Sequence, residues 1–176
     1  MGGARILAGA VALVTLTVGG PGEGSEAPVA RARLVGHPQS RFPLAVYVAP
    51  LGDSVLEAAL RSAVMDWSRI FTETLGVAAF VGRERPEDAQ VVVRFAAAGS
   101  GVMGRTTMDA EDSGVLRLPI EITLAPPVAR GQTSAERVLY QVAAHELGHA
   151  LGLPHRNDPT SVMCCDPDGL NFDDPA

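Results

Sequence analysis

Residues 145–155 read His-Glu-Leu-Gly-His-Ala-Leu-Gly-Leu-Pro-His, a spacing that requires a helix, a sharp exit from it and a return of the chain toward the same helical face. His145 and His149 are four apart, so on an α-helix they stack on one face and aim two imidazole nitrogens at one point. Gly152 stands where the helical pattern ends, and glycine takes the left-handed conformation that turns a chain out of a helix without a side-chain clash. Pro154 then restricts the chain to an extended path, along which His155 arrives as a third nitrogen. A site with three protein nitrogens keeps its fourth tetrahedral position open, which is the arrangement of a hydrolytic zinc centre, where water has a pKa of about 7. His145, His149 and His155 are thus the expected Zn2+ ligands. Glu146 flanks the ligand face, where a carboxylate reaches the activated water without binding the metal, and it is the candidate general base.

The pattern resembles the zinc signature of the metzincin metallopeptidases, which is followed by a methionine-containing turn. Ser161-Val162-Met163 supplies such a turn eight residues after His155, preceded by Asp158-Pro159-Thr160. That separation is similar to the one in the matrixin branch. The resemblance implies that Met163 forms an apolar floor beneath the imidazoles. It also implies an α+β, metzincin-like zincin fold: a mixed twisted sheet with two main helices, the second being the zinc helix that leads into the methionine turn. Some metzincin branches carry a tyrosine two positions after the turn methionine, and here that position is Cys165. Matrixin domains usually continue into a final helix, whereas no helix is expected in the 13 residues after Met163. Matrixin domains often bind calcium, so the resemblance places Ca2+ among Asp109, Glu111 and Asp112, or among Asp166, Asp168, Asp173 and Asp174; the plainer reading is that these carboxylates are solvated in turns.

The amino terminus has the layout of a signal peptide. A short positive start, Met1 to Arg5, precedes the apolar run Ile6 to Val18 and a Gly/Pro/Ser stretch from Gly19 to Pro28. The apolar run is shorter than the roughly 20 residues that cross a bilayer as a helix, which favours a cleaved signal over a retained N-terminal membrane anchor, the alternative. Ala30-Arg31-Ala32 fits a small-x-small cleavage pattern. The expected organisation is a signal peptide and linker over 1–32 and one zinc metallopeptidase domain over 33–176. A formal charge of −6 without basic runs gives no support for a nucleic-acid partner. The expected protein is a secreted monomer that meets a peptide or protein substrate, with no membrane contact once the signal is removed.

Periodicity supplies a scaffold. Phe42 to Ala49 reads as a strand, and Asp53 and the capping-box pair Ser54 and Glu57 mark the start of a helix with Leu56, Leu60, Val64, Trp67, Ile70 and Phe71 on one face. Val77 to Val81, Gln90 to Ala96 and Val115 to Leu124 read as further strands, separated by the Gly-rich 99–104 and the polar 109–114. Pro126-Pro127 and Gly131 break the chain before Thr133 and Glu136 open the zinc helix as a second capping box, with Val138 and Val142 toward the core. Pro119 has no N–H for a central ladder, so Val115 to Leu124 is expected at a sheet edge, where an extended peptide could add by main-chain hydrogen bonds.

The expected function is a secreted zinc endopeptidase in which Glu146 takes a proton from water and passes it to the leaving amine. The alternative is a non-catalytic, zinc-stabilised binding module, which has no use for a general base. Cys164 and Cys165 leave three readings open: a vicinal disulfide, free thiols, or an intermolecular link. A free thiolate there could also occupy the open zinc position. His37 is expected to be an exposed side chain without a special role.

Overall fold

In the computed structural model, residues 36–97 and 103–164 are described. They form strand β1 (Leu44–Val48), helix α1 (Ser54–Leu75), strands β2 (Phe80–Gly82), β3 (Val91–Phe95), β4 (Gly104–Thr107) and β5 (Ile120–Leu124), and helix α2 (Ala135–Ala150). This is the expected α+β order. The sheet runs β2-β1-β3-β5-β4. Its first four members are parallel, and β4 lies antiparallel to β5, so the sheet is mixed, as expected. Both helices pack on one face. Leu44, Val46, Val91, Val93, Ile120, Ile122 and Leu124 from the strands meet Leu60, Ala63 and Trp67 of α1 and Val138, Leu139, Val142, Ala143 and Leu147 of α2 in one core. Full burial of each large aliphatic side chain contributes about 1.5–3 kcal/mol. In β5 the alternation is strict: Ile120, Ile122 and Leu124 are buried, while Glu121 is exposed.

The N-cap of α1 lies one residue before the Ser54 of the expected capping box. Asp53 is the N-cap, its Oδ1 accepting from the backbone N–H of Val55 and Leu56 at 2.9 and 3.1 Å. Glu57 reaches back to the N–H groups of Leu51 and Gly52 at 3.0 and 3.1 Å. Ser54 is the first helical residue, because the aspartate carboxylate is the stronger acceptor for the orphan donors of the first turn. The helix ends in Gly76 at φ 72°, a left-handed position suited to glycine. The expected apolar face of α1 is the packed one: Leu60 and Trp67 are buried, and Leu56, Val64, Ile70 and Phe71 lie against the core. Tyr140 of α2 donates its hydroxyl to Asp66 of α1 at 2.8 Å; burial, then the aspartate, push its pKa up to about 12.

Two expectations fail at the far end of the sheet. The run Val115 to Leu124 is not an edge: its strand portion begins at Ile120, and β5 is paired on both sides, by β3 and by β4. Pro119 precedes the ladder rather than lying in it, and the ladder opens with Ile120 N–H donating to the Gln90 carbonyl at 2.9 Å. The edge is β4, whose first residue, Gly104, had been expected to close a Gly-rich breaker. Its sequence, Gly-Arg-Thr-Thr, carries no apolar alternation, so periodicity gives no signal; its pairing comes from the register with β5. The α2 start also shifts by one. Ser134 is the N-cap, without a side-chain cap bond. Thr133 lies one residue earlier, exchanging backbone bonds in both directions with Arg130 at 2.8 and 2.9 Å. The signal-peptide and linker region, 1–32, lies outside the described residues. No described helix is long and apolar enough to cross a membrane.

Candidate metal centre

The last turn of α2 builds the site. Leu151 closes the helix, and Gly152 at φ 92° reverses the chain. The Gly152 N–H donates to the His149 carbonyl at 2.8 Å and the Leu153 N–H to the Gly148 carbonyl at 3.0 Å. These two bonds constitute a Schellman motif, which satisfies helix-end carbonyls while turning the chain back. His155 is thereby brought to the two helical histidines. The three Nε2 atoms form a nearly regular triangle: His145 to His149 is 3.0 Å, His149 to His155 is 3.0 Å and His145 to His155 is 3.1 Å. Among the described residues, these three histidines are the group close enough to share a metal ion.

Backbone carbonyls set the tautomers. The Nδ1 atom of His145 lies 2.9 Å from the Val162 carbonyl, and that of His149 lies 2.9 Å from the Leu153 carbonyl. A carbonyl only accepts, so each Nδ1 carries the proton and each neutral ring presents its Nε2 lone pair to the cluster. Lone pairs 3 Å apart repel unless a cation lies among them, and this arrangement of outer carbonyls is the usual support of metal-ligating imidazoles. Burial holds His149 below the ordinary imidazole pKa; the Leu153 carbonyl opposes the shift, and the His145 and His155 rings add to it. The ring is thus kept in the neutral form that ligates. His145 is buried, His149 half-buried and His155 exposed, so the cluster opens to solvent on the His155 side.

The methionine turn packs against the same helix. Met163 is 3% exposed, and its carbonyl accepts from the Arg156 N–H at 2.8 Å. A Cβ at Gly148 would overlap the Met163 sulfur and come within 3.1 Å of Trp67 Cζ2. Trp67 in turn donates its indole N–H to the Ala144 carbonyl at 2.8 Å. Asp158 fixes the turn, its Oδ1 accepting from the Thr160 N–H and hydroxyl at 2.9 and 2.7 Å. Those bonds hold its carboxyl below the usual carboxylate range.

Glu146 is 5% exposed and faces β4. The Thr106 hydroxyl oxygen lies 2.7 Å from Glu146 Oε2. A Cβ on Gly104 would meet Glu146 Oε1 and Val142 Cγ1 at 2.7 Å each; glycine is required for this strand to pass so close. The three histidines come together, and Glu146, next to His145 on α2, is buried against β4. The sequence reading missed Thr106, Gly104 and Gly148. The signal available for the first two was the β-branched pair Thr106-Thr107 just after the Gly-rich 99–104, in a stretch to which no element had been assigned.

Three further expectations concern the cysteines, the acidic turns and His37. Cys164 is buried and disulfide-bonded, which removes both the free-thiol reading and the thiolate on the metal for that residue; Cys165 lies outside the described residues. Asp109, Glu111 and Asp112 do not gather into a metal-binding group among the described residues, and Asp166, Asp168, Asp173 and Asp174 lie outside them. His37 is not a bystander. Its Nε2 lies 2.9 Å from the carbonyl of Ala150, the last residue of α2, and its Nδ1 lies 3.4 Å from the Arg41 guanidinium, which also donates to the Leu116 carbonyl. Burial holds the His37 pKa below its ordinary value, with the Ala150 bond opposing and the Arg41 charge adding.

Comparison with known proteins agrees with this geometry. The matrixin family model matches residues 42–167. Matrix metalloproteinase-16 of Homo sapiens is 42% identical over 65 residues, which cover 37% of this chain and 9% of that protein; the Rattus norvegicus protein of the same name matches equally. Neutrophil collagenase of Homo sapiens is 30% identical over 132 residues, covering 66% of this chain and 25% of that protein. The chain thus spans a quarter or less of the length of these relatives.

Proposed function

The chain belongs to the matrixin family of metallopeptidases, and on that premise we propose that it is a zinc-dependent endopeptidase with Glu146 as its general base. The observation that carries the proposal is the Nε2 triangle of His145, His149 and His155, with sides of 3.0–3.1 Å, beside a buried carboxylate. Three zinc–nitrogen bonds of about 2.0–2.1 Å in tetrahedral array need nitrogens about 3.3 Å apart, so the donors fit zinc with a small outward movement. The donor set is all imidazole, which suits zinc and excludes the hard cations calcium and magnesium.

Bound zinc supplies a Lewis acid that lowers the pKa of water and polarises a carbonyl. The chain's own groups do the rest. Glu146 accepts the proton of the attacking water and delivers it to the leaving amine as the peptide bond breaks. The carbonyls of Val162 and Leu153 hold His145 and His149 in the ligating tautomer. Met163 closes the underside of α2 at Gly148 and keeps water from that side. The outer edge of β4 borders Glu146, and an extended peptide adding there by main-chain hydrogen bonds would lie across the site with little demand on its side chains. The N-terminal layout of residues 1–32 supports an extracytoplasmic location, with residues 33–176 as the peptidase domain.

The test exposes unfolded proteins to the purified chain and to a Glu146→Ala variant, each with bound zinc quantified, and identifies new termini by mass spectrometry. New termini from the wild type alone are expected. Equal cleavage by both proteins would remove Glu146 from the mechanism, and no cleavage by either would transfer the site to a zinc-stabilised binding module.

A further inference from the structure

Thr106 belongs to no motif, yet its hydroxyl oxygen lies 2.7 Å from Glu146 Oε2 and 3.0 Å from the Glu146 carbonyl oxygen. A hydroxyl has one proton to give. The carboxylate is the nearer acceptor and the charged one, and charge-assisted O–H···O bonds are both shorter and stronger than neutral ones. Glu146 is almost fully buried, so water competes poorly for that oxygen. Thr106 also alternates with Gly104 along β4, which places both on the side turned toward α2, where Arg105 and Thr107 are exposed on the other. Strand β4 therefore meets the carboxylate at two points. The hydroxyl holds Oε2, and the bare Gly104 backbone admits Oε1 and Cγ to within 2.7 and 2.8 Å of where a Cβ would stand.

We propose that Thr106 is a positioning residue for the general base: it fixes Glu146 Oε2 and so leaves Oε1 as the oxygen that takes the proton. This rests on the reading of Glu146 as the base of a peptidase. Without the hydroxyl, the glutamate side chain regains rotamers in which its carboxylate points away from the water or swings onto the metal. The anchoring strand is also the edge proposed to receive the substrate. Base and scissile bond are thereby referred to one element, so the loss on removing the hydroxyl falls on kcat and leaves KM in place.

The test compares the wild type with Thr106→Val, which keeps the shape and β-branching, and Thr106→Ser, which keeps the hydroxyl. Two readouts are taken. In metal-free protein labelled with 13C at the glutamate carboxyl, the Glu146 resonance is identified by its loss in a Glu146→Gln variant. In zinc-loaded protein, kcat and KM are measured on a quenched fluorogenic peptide carrying a cleavage site found with unfolded proteins. The expected result is a displaced Glu146 resonance and a roughly tenfold lower kcat in Thr106→Val, with KM within about twofold, both restored by Thr106→Ser. An undisplaced resonance in Thr106→Val, or a wild-type kcat there, overturns the positioning role alone. A zinc-loaded wild type that cleaves nothing overturns the peptidase reading, and with it any catalytic role for Thr106, whatever the resonance does.

Discussion

Gly148 and Met163 are in such close contact that a single added methyl group on the glycine would overlap the methionine sulfur. The contact seats the methionine turn against the helical segment between His145 and His149, where Trp67 of α1 also borders Gly148.

Gly148→Ala sets two effects against each other. Alanine favours a helix interior by about 1 kcal/mol over glycine, while overpacking a filled core costs about 1–3 kcal/mol. Met163 is buried and the added methyl would also crowd Trp67 at 3.1 Å, so overpacking prevails and a net loss of about 1 kcal/mol is expected, or roughly 2–4 °C in Tm. Zinc affinity should fall as well, because displacing Met163 moves the neighbouring Val162 carbonyl that orients His145. Thermal unfolding with a zinc titration checks both; an unchanged Tm would show that the turn yields freely.

Zinc should stabilise the fold by mass action. At a free concentration of 100 times its dissociation constant, the gain is about 2.7 kcal/mol, and a chelator should remove it. His149→Ala takes one nitrogen from the triangle and should abolish the zinc-dependent rise in Tm. A persistent rise in that variant would place the ion elsewhere.

Gly104→Ala puts a methyl group against the Glu146 carboxylate and Val142 Cγ1. The histidines are untouched, so zinc stoichiometry should hold while kcat falls by about tenfold or more, given the roughly 10²–10⁴-fold contribution of a positioned acid–base group. Metal analysis beside peptide kinetics checks this. Loss of zinc together with activity would mean that β4 distortion spreads into α2.

His37 should make stability pH-dependent. Its folded-state pKa lies below the ordinary value, chiefly through burial, so the unfolded chain binds its proton first as pH falls. The stability that neutral His37 contributes is therefore full above the ordinary imidazole value of about 6.5 and is lost progressively below it. His37→Gln can keep a donor toward Ala150 without titrating. The Tm advantage of the wild type over this variant should shrink between about pH 7.5 and pH 5. Metal-free protein is used, since His149 is shifted in the same direction and its titration cancels in the difference. A constant difference would remove His37 from the linkage.

Legibility followed the range of the interactions. The convergence of His145, His149 and His155 and the turn at Gly152 were readable because helix periodicity and one Schellman turn, all within 145–155, generate the geometry. The buried face of α1 was readable for the same reason. The edge strand was not. Pro119 signalled exclusion from a ladder, but β5 begins just beyond it, and Gly104-Arg-Thr-Thr has neither apolar alternation nor length; only its register against β5 makes it a strand. His37 gave no sign of its partner because Ala150 lies 113 positions away.

Local spacing was enough to bring three imidazoles together beside one carboxylate through the turn at Gly152, since that spacing acts through backbone geometry. Tertiary structure alone decided how those groups are held. The Thr106 bond to Glu146, the Val162 carbonyl on His145 and the Met163 contact at Gly148 join segments 15 to 40 residues apart. Contacts over such separations depend on sheet register and helix packing, which no local pattern encodes.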